Sequence, residues 1–391
     1  MAYYLLTGAS GLLGSHLLRD CLLAGHRMAV LVRPAKTQSA RQRVDACLAH
    51  WEEQTGQRLP RPVVLEGDLC RPDLNLADTE LRWISRHCQA VIHTAASLTF
   101  RGADCLKEPW LSNVEGTRRL LGLCSRCSID QFHYVSTAYV CGMREGPILE
   151  TELDLGQQMG NDYERSKVEA EKLVHDASLA SPPTVYRPSI IIGDSRTGYT
   201  STFHGFYAVV KLVHTLASRM VLGSISAEFL LDAFHLNGHE CKNFVPVDWV
   251  SAAITRLLSQ PQHHGKTYHL TAAEPTPILV WGQAIQHAVE QYSPLANTSD
   301  ATHCDAEWFE EMFREQVQIY RAYWRDDPHF DRTHTAAALS DLHCPTVDHD
   351  MLVRMARFAI QTNFGRCRPA KFEFRVPNFA LEQTPAVKAR A

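Results

Sequence analysis

The chain has 391 residues, 45% of them hydrophobic, which is ample for one large domain or two intimate ones. Its formal net charge is −4, so bulk electrostatics give no reason to expect nucleic acid or an anionic membrane as partner. Twelve cysteines are scattered; the single C-x-x-C, Cys124/Cys127, has no second pair or His cluster at zinc spacing, so free thiols and no metal are expected.

The first apolar run, Tyr3-Tyr4-Leu5-Leu6, begins too early to leave space for a signal peptide. No apolar run reaches the ~20 residues of a membrane helix; the best candidate, Phe206–Val210, is broken by Lys211. A cytoplasmic protein of a reducing compartment, without membrane insertion, is the expectation.

Thr7-Gly8-Ala9-Ser10-Gly11-Leu12-Leu13-Gly14 follows that run, and the pattern Leu13, Leu17, Leu18, Cys21, Leu22 predicts a helix over Leu13–Ala24. Strand, Gly-rich turn and helix start together suit a dinucleotide pyrophosphate. Glycine allows a sharp turn and close approach, and the helix N-terminus offers unpaired N–H groups. Gly8, Ala9, Ser10, Gly11, Leu12 and Leu13 are the first candidate cofactor-binding residues.

The second strand, Met28–Val32, ends at Arg33, where sites for a free ribose 2′-hydroxyl carry a carboxylate. Arg33, with Arg43 on the next predicted helix (Arg41–Gln54), suits a 2′-phosphate instead, and hence NADP. Strand Val63–Glu66 leads to Gly67-Asp68-Leu69, where Asp68 can accept from an adenine amino group. After helix Thr79–His87, strand Ala90–His93 ends at Thr94-Ala95-Ala96, small residues against which a cofactor can lie. Helix Val114–Cys124 and strand Gln131–Ser136 follow, the latter bringing Thr137 to the carboxyl edge of the sheet.

Tyr163 and Lys167, four residues apart on predicted helix Tyr163–Ala177, share a face, so phenol and ammonium can meet one pocket. The lysine charge is expected to lower the phenol pKa. The sixth strand, Thr184–Tyr186, precedes Pro188 and Ser189, which are expected to join the cofactor-binding set. Strict alternation of buried strands and helices gives an α/β fold, a doubly wound parallel sheet of Rossmann type.

Residues 198–241 read as a loop and one helix, Asn243–Val250 as a strand returning to the sheet followed by a helix through Leu258, and Tyr268–Thr271 as another strand. From about Thr276 the chain is mostly helical. The expected organisation is a cofactor domain of residues 1–197 with 243–275, a smaller substrate lobe of 198–242 with 276–376, and a tail of 377–391. Phe203, Phe206, Tyr207, Phe229, Leu230 and Phe234 suit either an acyl channel or a core.

In order and spacing, the glycines, Thr137 and the Tyr163/Lys167 pair resemble the extended short-chain dehydrogenase/reductase superfamily. More narrowly, the chain looks like its thioester-reductase and fatty acyl-CoA reductase branch. That likeness is carried by Thr7–Gly14, Leu31–Arg33, the inserted helix Ala40–Trp51, Gly67–Leu69, His93–Ala96, Asn113–Thr117, Tyr134–Val140, Tyr163–Lys167, Tyr186–Ser189 and Phe244–Asp248. It covers residues 2–275 well and the remainder only broadly.

The resemblance implies a catalytic set of Thr137, Tyr163 and Lys167, supported by Asn113. It further implies NADPH-dependent reduction of an acyl thioester, on coenzyme A or a carrier protein supplied in trans, to an aldehyde, which a second hydride could carry on to an alcohol. A ketone reductase, a sugar-nucleotide epimerase or dehydratase, and a non-catalytic NADPH-binding protein are the alternatives on the same scaffold. The acyl chain and the oligomeric state stay open.

Overall fold

The chain alternates strand and helix from its start, in a computed structural model that describes residues 2–102, 104–217, 226–293 and 325–366. The elements begin β1 (Tyr3–Thr7), α1 (Leu12–Leu23), β2 (Met28–Val32), α2 (Ala40–Thr55), β3 (Val63–Glu66), α3 (Asp78–His87), β4 (Cys88–His93), α4 (Gly116–Cys127) and β5 (Gln131–Val135). Next come β6 (Pro147–Ile148), α5 (Asp162–His175), β7 (Thr184–Pro188), β8 (Ile190–Ile192), α6 (Phe206–Ala217) and α7 (Ala227–Ala233). The rest is β9 (Cys241–Lys242), β10 (Phe244–Pro246), α8 (Val247–Leu258), β11 (Thr267–Leu270), β12 (Thr276–Pro277), α9 (Ile278–Tyr292) and β13 (His329–Phe330), with helices Thr333–Ala338 and His349–Gln361.

Seven strands pair in the order β11-β7-β5-β4-β1-β2-β3, every pair parallel. Their apolar runs are continuous because both faces are covered. Successive side chains point to opposite faces, so Leu6, Val30 and Ile92 join one core with Leu17 and Leu18 of α1 and Ile254 and Leu257 of α8. Leu5, Ala29 and Val91 join the other, with Ile84 of α3, Leu120 and Leu123 of α4 and Val174 of α5. The chain runs outward from β1 to β3, then returns to place β4 on β1's other side. That reversal opens a crevice above the carboxyl ends of β1 and β4.

A third core gathers α6, α7, α9 and His349–Gln361 around Phe206, Val210, Leu230, Trp281, Ile285 and Met355. Tyr207 and Phe234 are buried in it too, and the Tyr207 hydroxyl accepts from the Gly193 N–H at 2.9 Å. Core packing thus accounts for Phe206, Tyr207, Leu230 and Phe234, with Phe203 packed against the same core; the Phe229 side chain lies outside the described residues. The lobe boundaries remain a proposal, and the stretch is stitched back to the sheet. Asp327 accepts from Tyr139 Oη, Lys242 Nζ and Asn243 N, each at 2.8 Å.

Three sequence readings are corrected. Residues 243–250 do not return to the large sheet: Phe244–Pro246 pairs with β8 in a two-stranded sheet, and Val247 already begins α8. Residues 198–241 hold two described helices, not one. The helix expected from Val114 starts instead with a wide turn at Leu111–Glu115 and continues to Cys127. The expected tail, 377–391, lies outside the described residues. Among those described, no helix is long and apolar enough to cross a membrane, and no three His, Cys, Asp or Glu side chains are grouped to hold a metal.

Candidate active site

The β1–α1 turn is shaped by what its glycines lack. Gly8 has φ +75°, and a Cβ there would lie 2.6 Å from Thr94 Oγ1 and 2.7 Å from the Ala95 nitrogen. A Cβ on Gly14 would fall 2.0 Å from the Gly8 oxygen, so α1 can seat against the turn only with glycine. Gly11 caps α1 without a side-chain hydrogen bond, which leaves the helix N-terminus facing the crevice for an anionic ligand.

The crevice has a volume of about 270 Å³ and is lined by Thr7–Gly11, Leu31–Arg33, Arg43, Gly67–Cys70, Thr94–Ala96 and Ser112. It therefore brings together Gly8, Ala9, Ser10, Gly11, Arg33, Arg43, Asp68, Leu69, Thr94, Ala95 and Ala96 from the ends of four strands. Leu12 and Leu13 open α1 just behind. Pro188 and Ser189 are not in the lining: Pro188 pairs with Leu270, and Ser189 Oγ donates to Asn243 Oδ1 at 2.7 Å. Cys70 and Ser112, whose Sγ and Oγ are 3.4 Å apart, line the crevice without having stood out in the sequence.

Ser39 and Gln42 start α2 with a reciprocal capping box, and this sets Arg43 in the first turn. Its guanidinium donates to Ser10 Oγ at 2.7 Å and to the Arg33 carbonyl at 2.5 Å. Arg33 itself is exposed at the rim. Two cations and a serine hydroxyl thus frame the end of β2. Asp68 accepts from the Cys70 N–H at 3.0 Å and lines the crevice.

The catalytic candidates sit where β5 ends. Thr137 is 5% exposed, and its hydroxyl oxygen accepts from the Tyr139 N–H at 3.3 Å. Asn161 caps α5 through the Glu164 N–H at 2.9 Å, placing Tyr163 in the first turn, where its hydroxyl comes close to Thr137. Lys167, one turn on, is 1% exposed and donates to Tyr134 Oη at 2.7 Å and to the Val135 carbonyl at 2.8 Å. Asn113 accepts from the Ser97 N–H at 2.7 Å and donates to the Ser97 carbonyl at 3.0 Å and to Ser166 Oγ at 2.9 Å. It fastens the loop after β4 to α5.

The expected lowering of the Tyr163 pKa by Lys167 is not what this geometry gives. Burial, then the Glu164 charge, push the phenol well above the usual tyrosine range, against the opposing effect of Thr137. Burial drives Lys167 down to about 7, with Glu171 pulling the other way. The lysine's bonds run to Tyr134 and Val135, and spacing along a helix could not disclose that. Glu171 is held at about 2 despite burial, because Arg187 donates to it through Nε at 2.9 Å and Nη2 at 2.5 Å.

The male sterility protein family, an NAD-binding family, matches residues 6–254, and the chain belongs to it. The resemblance to the thioester-reductase branch of the extended short-chain dehydrogenases is borne out. The terminal R domain of the myxalamid PKS-NRPS biosynthetic pathway superimposes with a TM-score of 0.71 at 26% identity, over 95% of this chain and 93% of that one. The chain is also 26% identical over 282 residues to the nonribosomal peptide synthetase asaC of Aspergillus flavus, which is 69% of this chain and 26% of that protein. It thus spans about a quarter of that curated relative's length. The UDP-glucose-4-epimerase of Stenotrophomonas maltophila, with NAD bound, has a TM-score of 0.62 at 18% identity, over 94% of this chain and 100% of that one, a likeness of fold alone. The crevice, by its glycines and helix N-terminus, fits a nicotinamide dinucleotide.

Proposed function

We propose that this member of the family reduces an acyl thioester to an aldehyde with NADPH. The observation that carries the reading is the pair of neighbouring hydroxyls, Thr137 and Tyr163, at the end of the strand beside the dinucleotide crevice. The relatives favour a thioester, since one is a nonribosomal peptide synthetase and another a terminal R domain of a PKS-NRPS pathway. The same two support delivery of the acyl group on a carrier protein. Arg33, Arg43 and Ser10 at the end of β2 favour NADPH over NADH, because they present donors where a 2′-phosphate would lie.

Gly8–Gly11 would hold the pyrophosphate, Asp68 and Leu69 the adenine side, and Lys167 the nicotinamide ribose. Once bound, the reduced nicotinamide supplies a hydride to the thioester carbon. The residues answer for the oxygen. As negative charge builds on the carbonyl oxygen, the hydroxyls of Thr137 and Tyr163 donate to it. A phenol raised above its ordinary range by burial keeps its proton at neutral pH and can hand it to that oxygen. The resulting hemithioacetal then breaks its C–S bond, the sulfur leaves as a thiol with a proton, and the carbonyl re-forms as an aldehyde.

The test is NADPH oxidation by the purified chain against acyl-CoAs, acyl-carrier proteins, aldehydes, ketones and UDP-sugars. Turnover with thioesters supports the proposal. Turnover confined to ketones or UDP-sugars moves the chain to another chemistry on the same fold.

A further inference from the structure

Tyr134 stands on β5 two residues before Ser136 and is 1% exposed. Its hydroxyl oxygen takes the 2.7 Å bond from Lys167 Nζ, and the same ammonium lies 4.3 Å from the centre of its ring. The direction of that bond is set by what lies behind it. Thr117 Oγ1 lies beside the Tyr134 hydroxyl and spends its own proton on the Asn113 carbonyl at 2.6 Å. Toward the Tyr134 hydroxyl it can therefore act only as an acceptor.

His93 Nε2 faces the same Thr117 oxygen at 3.0 Å and so donates to it, which leaves Nδ1 to accept from Thr7 Oγ1 at 2.7 Å. Thr7 Oγ1 in turn accepts from the Ala95 N–H at 3.3 Å. The hydroxyl protons of Thr117 and Thr7 are thereby assigned, and the Tyr134 oxygen meets the Lys167 ammonium through a lone pair.

We infer that Tyr134 is a positioning residue: hydroxyl and ring face together anchor the Lys167 ammonium at the carboxyl end of β5. The Thr117–His93–Thr7 network behind it fixes the hydroxyl's direction. Tyr134 and Val135 take two of the three ammonium donors, and one remains for a ligand. The same network reaches Thr7 and Ala95 in the lining of the dinucleotide crevice, so the lysine and the crevice share one buried scaffold. The inference rests on the proposed place of Lys167 in the catalytic set.

The other groups around Lys167 are identified. Glu171, on its own helix, favours the ammonium and is paired with Arg187 of β7. His93 of β4 is buried and neutral, and the Tyr163 phenol stays protonated. Removing the Tyr134 hydroxyl deletes a bond to the charged form and leaves these in place, so Lys167 must titrate lower.

The test is a 13C NMR titration of the Lys167 Cε in the full chain, its signal identified by its loss in Lys167→Met. Tyr134→Phe should lower the midpoint by about one unit. Thr117→Val, which frees the hydroxyl to turn, should shift it less in the same direction. A midpoint unmoved or raised in Tyr134→Phe overturns the inference, and if that variant does not fold, Thr117→Val decides by the same criterion. Because the titration needs no substrate, a lack of thioester turnover would count against the proposed reaction without touching this result.

Discussion

Cofactor preference should be written in the two arginines at the end of β2, and their unequal settings give them unequal weights. Arg33 is exposed, so its pairing with a 2′-phosphate is screened by salt. Arg43 is half-buried and already bonded to Ser10 Oγ and the Arg33 carbonyl. Its loss removes one cation and also the tie that holds the other's backbone. Hydrogen bonds to charged groups are each worth about 1.5–3 kcal/mol, or roughly one to two decades in affinity.

Arg33→Ala should therefore weaken NADPH about tenfold, at the low end for an exposed group, and Arg43→Ala by more, about 10–100-fold. The double variant should lose less than the sum, since the two share one contact. NADH affinity should stay within about threefold throughout, because NADH lacks the phosphate these groups would meet. Arg33→Asp should lower or reverse the preference. Fluorescence titrations of both cofactors at low and moderate salt read all of this. Equal affinities of the unmutated protein for NADPH and NADH would refute the reasoning, as would an Arg43→Ala variant with its ratio unchanged.

Tyr163→Phe should cut turnover by about 10²–10⁴ while leaving NADPH binding nearly intact, whereas Lys167→Ala should damage both; near-normal turnover of Tyr163→Phe on the true substrate would show the site misread. Lys167 titrates near 7 when folded and near 10.5 when unfolded, so between those values the unfolded chain binds more protons. Relative to Lys167→Met, stability measured by urea unfolding should rise with pH across that window, no more steeply than about 1.4 kcal/mol per unit, and parallel curves would contradict the buried amine. Arg187→Met leaves Glu171 buried without its guanidinium partner, and should cost about 3–5 kcal/mol in the same assay. Adding Glu171→Leu to it should recover most of that loss, and a double variant no more stable than the single would assign the cost to the carbonyls of Glu150 and Glu152 that Arg187 also bonds.

The parallel sheet was legible because its strands are apolar on both faces, a pattern that Leu5-Leu6 and Val91-Ile92 display directly. The crevice was legible because Gly8, Gly11 and Gly14 answer a backbone need that no other residue meets. What stayed hidden depends on partners distant in sequence. Residues 243–250 look like one strand because Phe244, Val245, Val247, Trp249 and Val250 are all apolar. Yet Pro246 ends the extended run, and Val250 and Ile254 share a helix face buried in the core with α1. Tyr134 reads as a core residue among Phe132 and Val135, and only the fold brings α5 across it so that Lys167 meets its hydroxyl. Ser189 looked available to a cofactor until Asn243, 54 residues on, was found to accept its proton.

The most direct measurement of the central claim counts thiol released against NADPH consumed, with an acyl-CoA or acyl-carrier protein and the purified chain. Reduction of a thioester predicts one free thiol for each NADPH if the product is aldehyde, or for each two if it goes on to alcohol, and neither product from Tyr163→Phe. NADPH consumed on a ketone or sugar nucleotide, with no thiol from any thioester, would contradict it.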